Sequence, residues 1–248
     1  MAQNSDHMIR FNRFLAQAGL GSRRVCDDLI QKGLVSLNGK IEQNPAVQID
    51  PEKDEVMVQG KTIELEVTHR YYLLNKPAEV ITTTNDPYGR STVVDLLPGD
   101  ERIYPVGRLD YDTTGAILLT NDGDLAYQLT HPKFQVPKTY QVRVLGRVKE
   151  SDLEKLPLGI DIEASTPAIA EVLEYTHQDR FTEVKLVLRE GRKREIKRIF
   201  MALGHKVISL HREQFAFLRV DDLKEGQYRE LSQAEIDRLK ELADGHQG

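Results

Sequence analysis

The chain has 248 residues, 40% of them hydrophobic and 29% charged, with a formal net charge of -5 at pH 7. This is room for a small module and a larger one, each with a core, in an ordinary globular composition. No apolar run approaches the roughly 20 residues of a membrane-spanning helix, and a single cysteine, Cys26, excludes an intramolecular disulfide. One cysteine and seven scattered histidines do not supply the close-spaced ligand pairs of a structural zinc site. The opening MAQNSDHM is polar, lacks the apolar block of a signal peptide, and is expected to be a disordered lead-in to a cytoplasmic protein.

In chain order, Phe11, Phe14, Leu15 and Ala18 recur at helical spacing and the run stops at Gly19. Ser22 is a good N-cap for a second helix, with Val25, Leu29 and Ile30 expected on one face and Gly33 just past its end. Asn38-Gly39 between short alternating runs predicts a tight hairpin, because both central residues must take positive φ. DEVMVQGKTIEL predicts another strand pair turning at Gly60, and the first module is expected to span residues 8–68. A second domain, 70–242, opens with a buried strand at Tyr71 to Leu74, stopped by Asn75-Lys76-Pro77. AILLTNDGDLAYQLTH reads as a strand, a turn at Asp122-Gly123 and a helix start. KTYQVRVLGRV alternates as a strand, with Tyr140, Val142 and Val144 on one side. AIAEVLEY and FTEVKLVLRE read as strands as well. REIKRIFMALGH is a helix with Ile196, Ile199, Phe200 and Leu203 as its stripe, and a last helix covers Gln233 to Ala243. Strands outnumber helices without regular alternation, so the expected class is α+β, with a mixed, mainly antiparallel sheet.

The acidic average hides two basic islands. Arg10, Arg13, Arg23, Arg24, Lys32 and Lys40 face only Asp27 and Asp28 across residues 10–40. Arg189, Arg192, Lys193, Arg194, Lys197 and Arg198 face only Glu190 and Glu195 across 189–198. Asp221 to Asp244 is acidic instead, with eight acids and four bases. Basic islands on an acidic body can steer a polyanion to one face, or can simply be solvated surface.

GRLDYDTTG, residues 107–115, sets two carboxylates two positions apart, behind an arginine and ahead of a glycine. A calcium loop would need a bidentate Glu at its twelfth position; counting from Asp110, that position is Asn121. GLGSRR follows a helix and lacks the final glycine of a dinucleotide fingerprint, and GRKREIKR lacks phosphate-loop spacing. A turn role for Asp110 stays open, since Asp side chains bond nearby amides. So does a nucleophile's role, if a cation keeps the carboxylate ionised and fixes its rotamer.

GRLDYDTTGAILLTNDG resembles the signature of the pseudouridine synthases, in which the Asp after GRL is catalytic. YLLNKPAEVITTTNDPYGRSTVVDLL, KTYQVRV and LREGRKREIKRIFMALGHKVISLHRE resemble further motifs of that family, in the same order. FNRFLAQAGLGSRRVCDDLIQKGLVSLNGK resembles an S4 RNA-binding domain, which precedes the catalytic domain in the synthases acting on ribosomal RNA. The resemblance covers residues from about 8 to 240.

The resemblance implies isomerisation of one uridine in ribosomal RNA, or in a pre-ribosomal particle, by a monomeric protein. The base leaves its N-glycosidic bond, rotates and rejoins through carbon, so no cofactor and no metal are expected. Asp110 would start the reaction by attacking the ribose, attacking the uracil or removing a sugar proton, while Asp112 would be a turn residue or a supporting acid. Arg108 would fill the space left by the flipped base or hold its phosphate, Tyr140 would lie against the uracil, and Lys197 would pair with Asp110. Arg10, Arg13, Arg23, Arg24 and Lys40 would bind phosphates through the S4 module, joined by Arg192, Arg194 and Arg198 from the second island. Asn75, Lys76 and His211 lie in matching motifs with no chemistry assigned. GSRRVCDDLIQKGLVSLNGK and NDPYGRSTVVDLLP look more like the large-subunit enzymes, SLHRE more like the small-subunit one. Two other readings stand beside these: an inactive RNA-binding assembly protein, and a glycosidase using Asp110 and Asp112. The second is opposed by strand geometry, which would point alternate residues to opposite faces.

Overall fold

A computed structural model describes residues 8–65, 68–99, 102–163 and 166–245; residues 1–7 of the expected lead-in, 1–8, lie outside them. The chain divides into two compact units, Met1–His69 and Arg70–Gly248.

The first unit holds strand β1 (Ile9–Arg10), helices α1 (Phe11–Gln17) and α2 (Arg23–Gln31), and strands β2 (Val35–Leu37), β3 (Lys40–Ile41), β4 (Gln48–Ile49), β5 (Val56–Val58) and β6 (Lys61–Thr62). Ser22 caps α2 by accepting the Val25 amide, as its type and place predict. The β2–β3 hairpin turns at Asn38 (φ 50°) and Gly39 (φ 77°), the pair of positive angles that Asn-Gly accommodates. Strands run β3-β2-β5-β6 in one sheet, and β1 pairs with β4 separately. Phe11, Phe14, Leu15, Cys26, Ile30, Val35 and Ile49 form the core. Val25 is exposed instead of facing it. The inward stripe of α2 is Cys26 and Ile30, with Leu29 at its edge, because Cys26 is apolar enough to serve as a small hydrophobe.

The second unit is α+β. Its strands are β7 (Tyr71–Lys76), β8 (Tyr104–Pro105), β9 (Thr114–Thr120), β10 (Lys138–Leu145), β11 (Glu171–His177), β12 (Phe181–Leu188), β13 (Val207–Phe215), β14 (Leu218–Arg219) and β15 (Tyr228–Glu230). The helices are α3 (Gly123–Thr130), α4 (Glu150–Leu153), α5 (Glu195–Ala202) and α6 (Gln233–Asp244). The sheet runs β11-β12-β10-β13-β9-β7-β15, with β14 on β13 and β8 on β9. Only β13 with β9 is a parallel pair among these, so the sheet is mixed and mainly antiparallel. Two apolar clusters cover its faces, one containing Ile117, Val142, Leu186 and Phe200, the other Leu118, Leu129, Phe215 and Leu239. β7 runs two residues past its predicted end, through buried Asn75 and Lys76. Pro77 stops it, since proline cannot donate to the ladder. Asp122 is the N-cap of α3, its carboxylate accepting the Asp124 and Leu125 amides, where a bare turn was expected.

Candidate active site

The site is built on the loop between β8 and β9. Gly107 enters it at φ 77°, and Leu109 anchors it in the core. Thr82 clamps Leu109 from both sides, donating its hydroxyl to the carbonyl at 2.8 Å and accepting the amide at 3.2 Å. Residues 110–113 form a turn closed by the Thr113 amide donating to the Asp110 carbonyl at 3.1 Å. Gly115 then lets β9 lie against β13. A Cβ there would sit 2.2 Å from the Arg212 carbonyl oxygen, a position no side chain can occupy.

Beneath this turn lies Lys76, with no exposed surface. Its ammonium donates to the carbonyls of Pro77 and Thr113, both at 2.9 Å, with a longer contact to Tyr111 at 3.5 Å. Burial pushes its pKa down to about 8, against the pull of Asp112 and Asp110. The Tyr111 carbonyl also accepts the Glu79 amide. The loop is therefore held by its backbone and leaves its acids outward.

Opposite stands α5. Ile196, Ile199 and Phe200 bury one side of it, which turns Lys197 toward the loop. The Lys197 ammonium lies 3.2 Å from Asp110 Oδ2 and 2.5 Å from Asp112 Oδ1. Hydrogen bonding to Lys197 holds the Asp112 carboxyl below its usual range. The two acids lie in a turn, so the strand argument that would separate them does not apply: one ammonium bridges both. Asp110 keeps 37% of its side chain exposed, enough to meet a ligand.

A cavity of about 490 Å³ opens here, lined by Arg108, Asp110, Tyr140, Arg194, Ile196 and Leu210 among others. That is within the range of small-molecule sites. Tyr140 is 7% exposed and presents one aromatic wall from β10. Arg108 is exposed and has no ion-pair partner among the described residues. Arg194 is exposed and takes a left-handed φ of 54° just before α5. Two other arginines of that island are engaged by the protein. Arg192 donates to Glu190, to the Thr166 carbonyl and to the Thr166 hydroxyl. Arg198 donates to the carbonyls of Ile162 and Glu163. Glu195 is 4% exposed, accepts the Arg192 amide at 3.0 Å, and has its carboxyl pushed up by burial.

In the first unit Arg10, Arg23, Arg24 and Lys40 are exposed and Arg13 is half-buried. Arg23 reaches Asn12 at 3.3 Å. His211 pairs its Nδ1 with the Thr114 hydroxyl at 2.8 Å, and Asn75 donates to the Leu223 carbonyl at 2.7 Å, so both join elements of the framework. Lys76 and Thr82 received no role from the sequence.

Residues 70–202 match the family described as RNA pseudouridylate synthase, and residues 9–56 match the S4 domain. The ribosomal large subunit pseudouridine synthase B of Bacillus subtilis is 42% identical over 240 residues, covering 96% of this chain and 98% of its own. The ribosomal small subunit pseudouridine synthase A of Escherichia coli is 34% identical, covering 92% and 98%. A crystal structure of a pseudouridylate synthase superposes with a TM-score of 0.67 at 32% identity, covering 93% of this chain and 99% of the other.

Proposed function

The chain belongs to the RNA pseudouridylate synthase family, with an S4 domain ahead of the synthase domain, and from that premise we propose that it isomerises one uridine of large-subunit ribosomal RNA. The bond from C1′ to N1 breaks, a bond from C1′ to C5 forms, C5 gives up a proton and N1 gains one. Atoms and electrons balance without an oxidant. The observation that carries this reading is the Asp110 carboxylate at the cavity, 3.2 Å from Lys197. A carboxylate so placed is oriented and reachable, as one starting such a reaction must be.

Asp110 acts on the flipped nucleoside, Lys197 fixes its rotamer and charge, and Tyr140 lies against the uracil ring. Arg108, exposed and unpaired, stabilises the flipped state, which offsets an unstacking cost of a few kcal/mol. Arg194 and the cations of the S4 unit, Arg10, Arg13, Arg23, Arg24 and Lys40, contact phosphates. Arg192 and Arg198 act by shaping the groove wall. The S4 domain takes residues 8–68 and the catalytic domain 70–242. The protein acts as a monomer on ribosomal RNA or a pre-ribosomal particle in the cytoplasm. Similarity to the Bacillus subtilis large-subunit enzyme, 42% against 34% for the small-subunit enzyme, supports the large subunit.

The test is to map pseudouridines in both ribosomal RNAs from cells lacking the gene, complemented with wild type or Asp110→Asn. One large-subunit site is expected to vanish and to return only with wild type. Restoration by Asp110→Asn sinks the catalytic assignment; loss of a small-subunit site instead moves the substrate.

A further inference from the structure

Beside the site lies a second chamber of about 400 Å³. Arg108, Tyr140, Gly191 and Arg192 line both spaces, so the two adjoin across a shared wall. The second is strongly cationic. Arg108, Lys138, Arg189, Arg192 and Arg212 line it, and Glu190 is the one carboxylate in its wall. That carboxylate is occupied, accepting from Arg192 at 2.6 Å.

Two of these cations are anomalous. Arg212 is 2% exposed. Its Nε donates to the Ala116 carbonyl at 2.6 Å, but one terminal nitrogen, Nη2, is buried with no hydrogen-bond partner. Lys138 donates only to the nearby Val136 carbonyl at 2.7 Å. Both stand over the Phe215 ring, at 5.2 Å for Arg212 and 5.9 Å for Lys138. Neither is in an ion pair among the described residues. Burial and the neighbouring Arg212 charge push Lys138 down to about 8, with Glu195 opposing. Holding a buried guanidinium beside a half-buried ammonium, with no carboxylate in ion-pair contact with either among the described residues, is unfavourable unless an anion arrives from outside. A guanidinium with an open N–H beside an ammonium suits a phosphate oxygen.

We propose that this chamber is a phosphodiester subsite in which Arg212 and Lys138 hold one backbone phosphate of the RNA, next to the flipped uridine. The proposal rests on the RNA-modifying reading above and extends it to a specific linkage. Arg108 and Tyr140, shared by both chambers, then stand between the extruded base and its anchored phosphate. Fixing that phosphate positions the nucleoside before chemistry and costs the enzyme no base reading.

The test uses the full-length protein and the shortest ribosomal RNA fragment it binds, synthesised with one neutral methylphosphonate at each linkage in turn. Kd is read with Asp110→Asn protein and KM with wild type. One linkage beside the isomerised uridine is expected to weaken both about tenfold when neutral. Lys138→Gln is expected to match that loss and to reduce the salt slope of binding by about one. In Lys138→Gln the neutral linkage should add nothing further. Silence at every linkage near that uridine overturns the proposal, and needs no variant to fold. Independent, multiplying losses overturn it too. Competition by inorganic phosphate with every linkage silent would mark a free-anion site and also overturn it. If wild type makes no pseudouridine while the Kd pattern holds, the functional reading fails and the subsite stands.

Discussion

The two units use positive charge in opposite ways. In the first, Arg10, Arg23, Arg24 and Lys40 are exposed. In the second, Lys and Arg are packed more densely between 189 and 198, and half of the six are held by the protein: Lys197 by two carboxylates, Arg192 and Arg198 by carbonyls. A basic run in sequence is therefore two different materials. Exposed cations add affinity that salt screens, whereas engaged cations fix geometry that salt hardly touches.

The sharpest break of this comparison is at Lys197. Lys197→Met leaves Asp110 and Asp112 facing each other without the ammonium between them. Single-turnover kcat is expected to fall about 10²- to 10³-fold, the loss typical of removing one preorganised electrostatic contact, while Kd for RNA changes little. Asp112 also loses the cation that depresses its carboxyl. An equal loss of kcat and RNA affinity would place Lys197 with the surface cations.

Lys76 comes next. Its ammonium supports the turn through the Thr113 and Pro77 carbonyls. Lys76→Met leaves those buried acceptors unpaired, at a cost of about 1–3 kcal/mol in stability, and lets the Asp110 turn drift. A displacement of about 1 Å lowers kcat by roughly 10². Thermal unfolding and kcat measured together check this; unchanged kcat in a destabilised protein would make Lys76 a framework residue alone.

Exposed charge predicts the reverse pattern. Arg23→Ala with Arg24→Ala should raise KM by about an order of magnitude at moderate salt and leave kcat alone. It should also reduce the slope of log affinity against log salt by about one to two. A fall in kcat with an unchanged slope would show that these arginines are engaged like those of α5.

Much of this was legible beforehand where one residue type admits one local answer. Ser22 as a cap, Asn38-Gly39 as a hairpin and Pro77 as a strand end all follow from backbone chemistry. The stripe of α5 was legible from its period, and with it the side on which Lys197 stands. What was not legible depends on contacts between distant segments. Nothing in residues 110–112 alone says that both acids reach one lysine, 85 positions beyond Asp112. That Arg192 and Arg198 also bond the carbonyls of Ile162, Thr166 and Pro167 shows only once those segments are placed beside them. Val25 looked buried because period alone cannot choose between it and Cys26. Arg212 was invisible as an anomaly, since an orphaned guanidinium nitrogen is a property of its surroundings.

The smallest effect sharpens the engaged class in a segment whose charge is mainly acidic. Glu235 accepts two bonds from the Arg229 guanidinium, at 2.7 and 2.9 Å, and completes a capping box with Ser232 at the start of α6. These contacts lower its carboxyl from 4.5 to about 2. A depressed carboxyl stabilises the fold above its unfolded value and loses that contribution as pH falls through the folded one. Glu235→Gln should therefore lower stability by about 1 kcal/mol at pH 7, given partial exposure and screening. The gap between variant and wild type should narrow below about pH 4.5 and close near pH 2. Denaturant unfolding at several pH values reads this directly, and a gap that persists at pH 2 would assign the effect to the shape of the cap, independent of its charge.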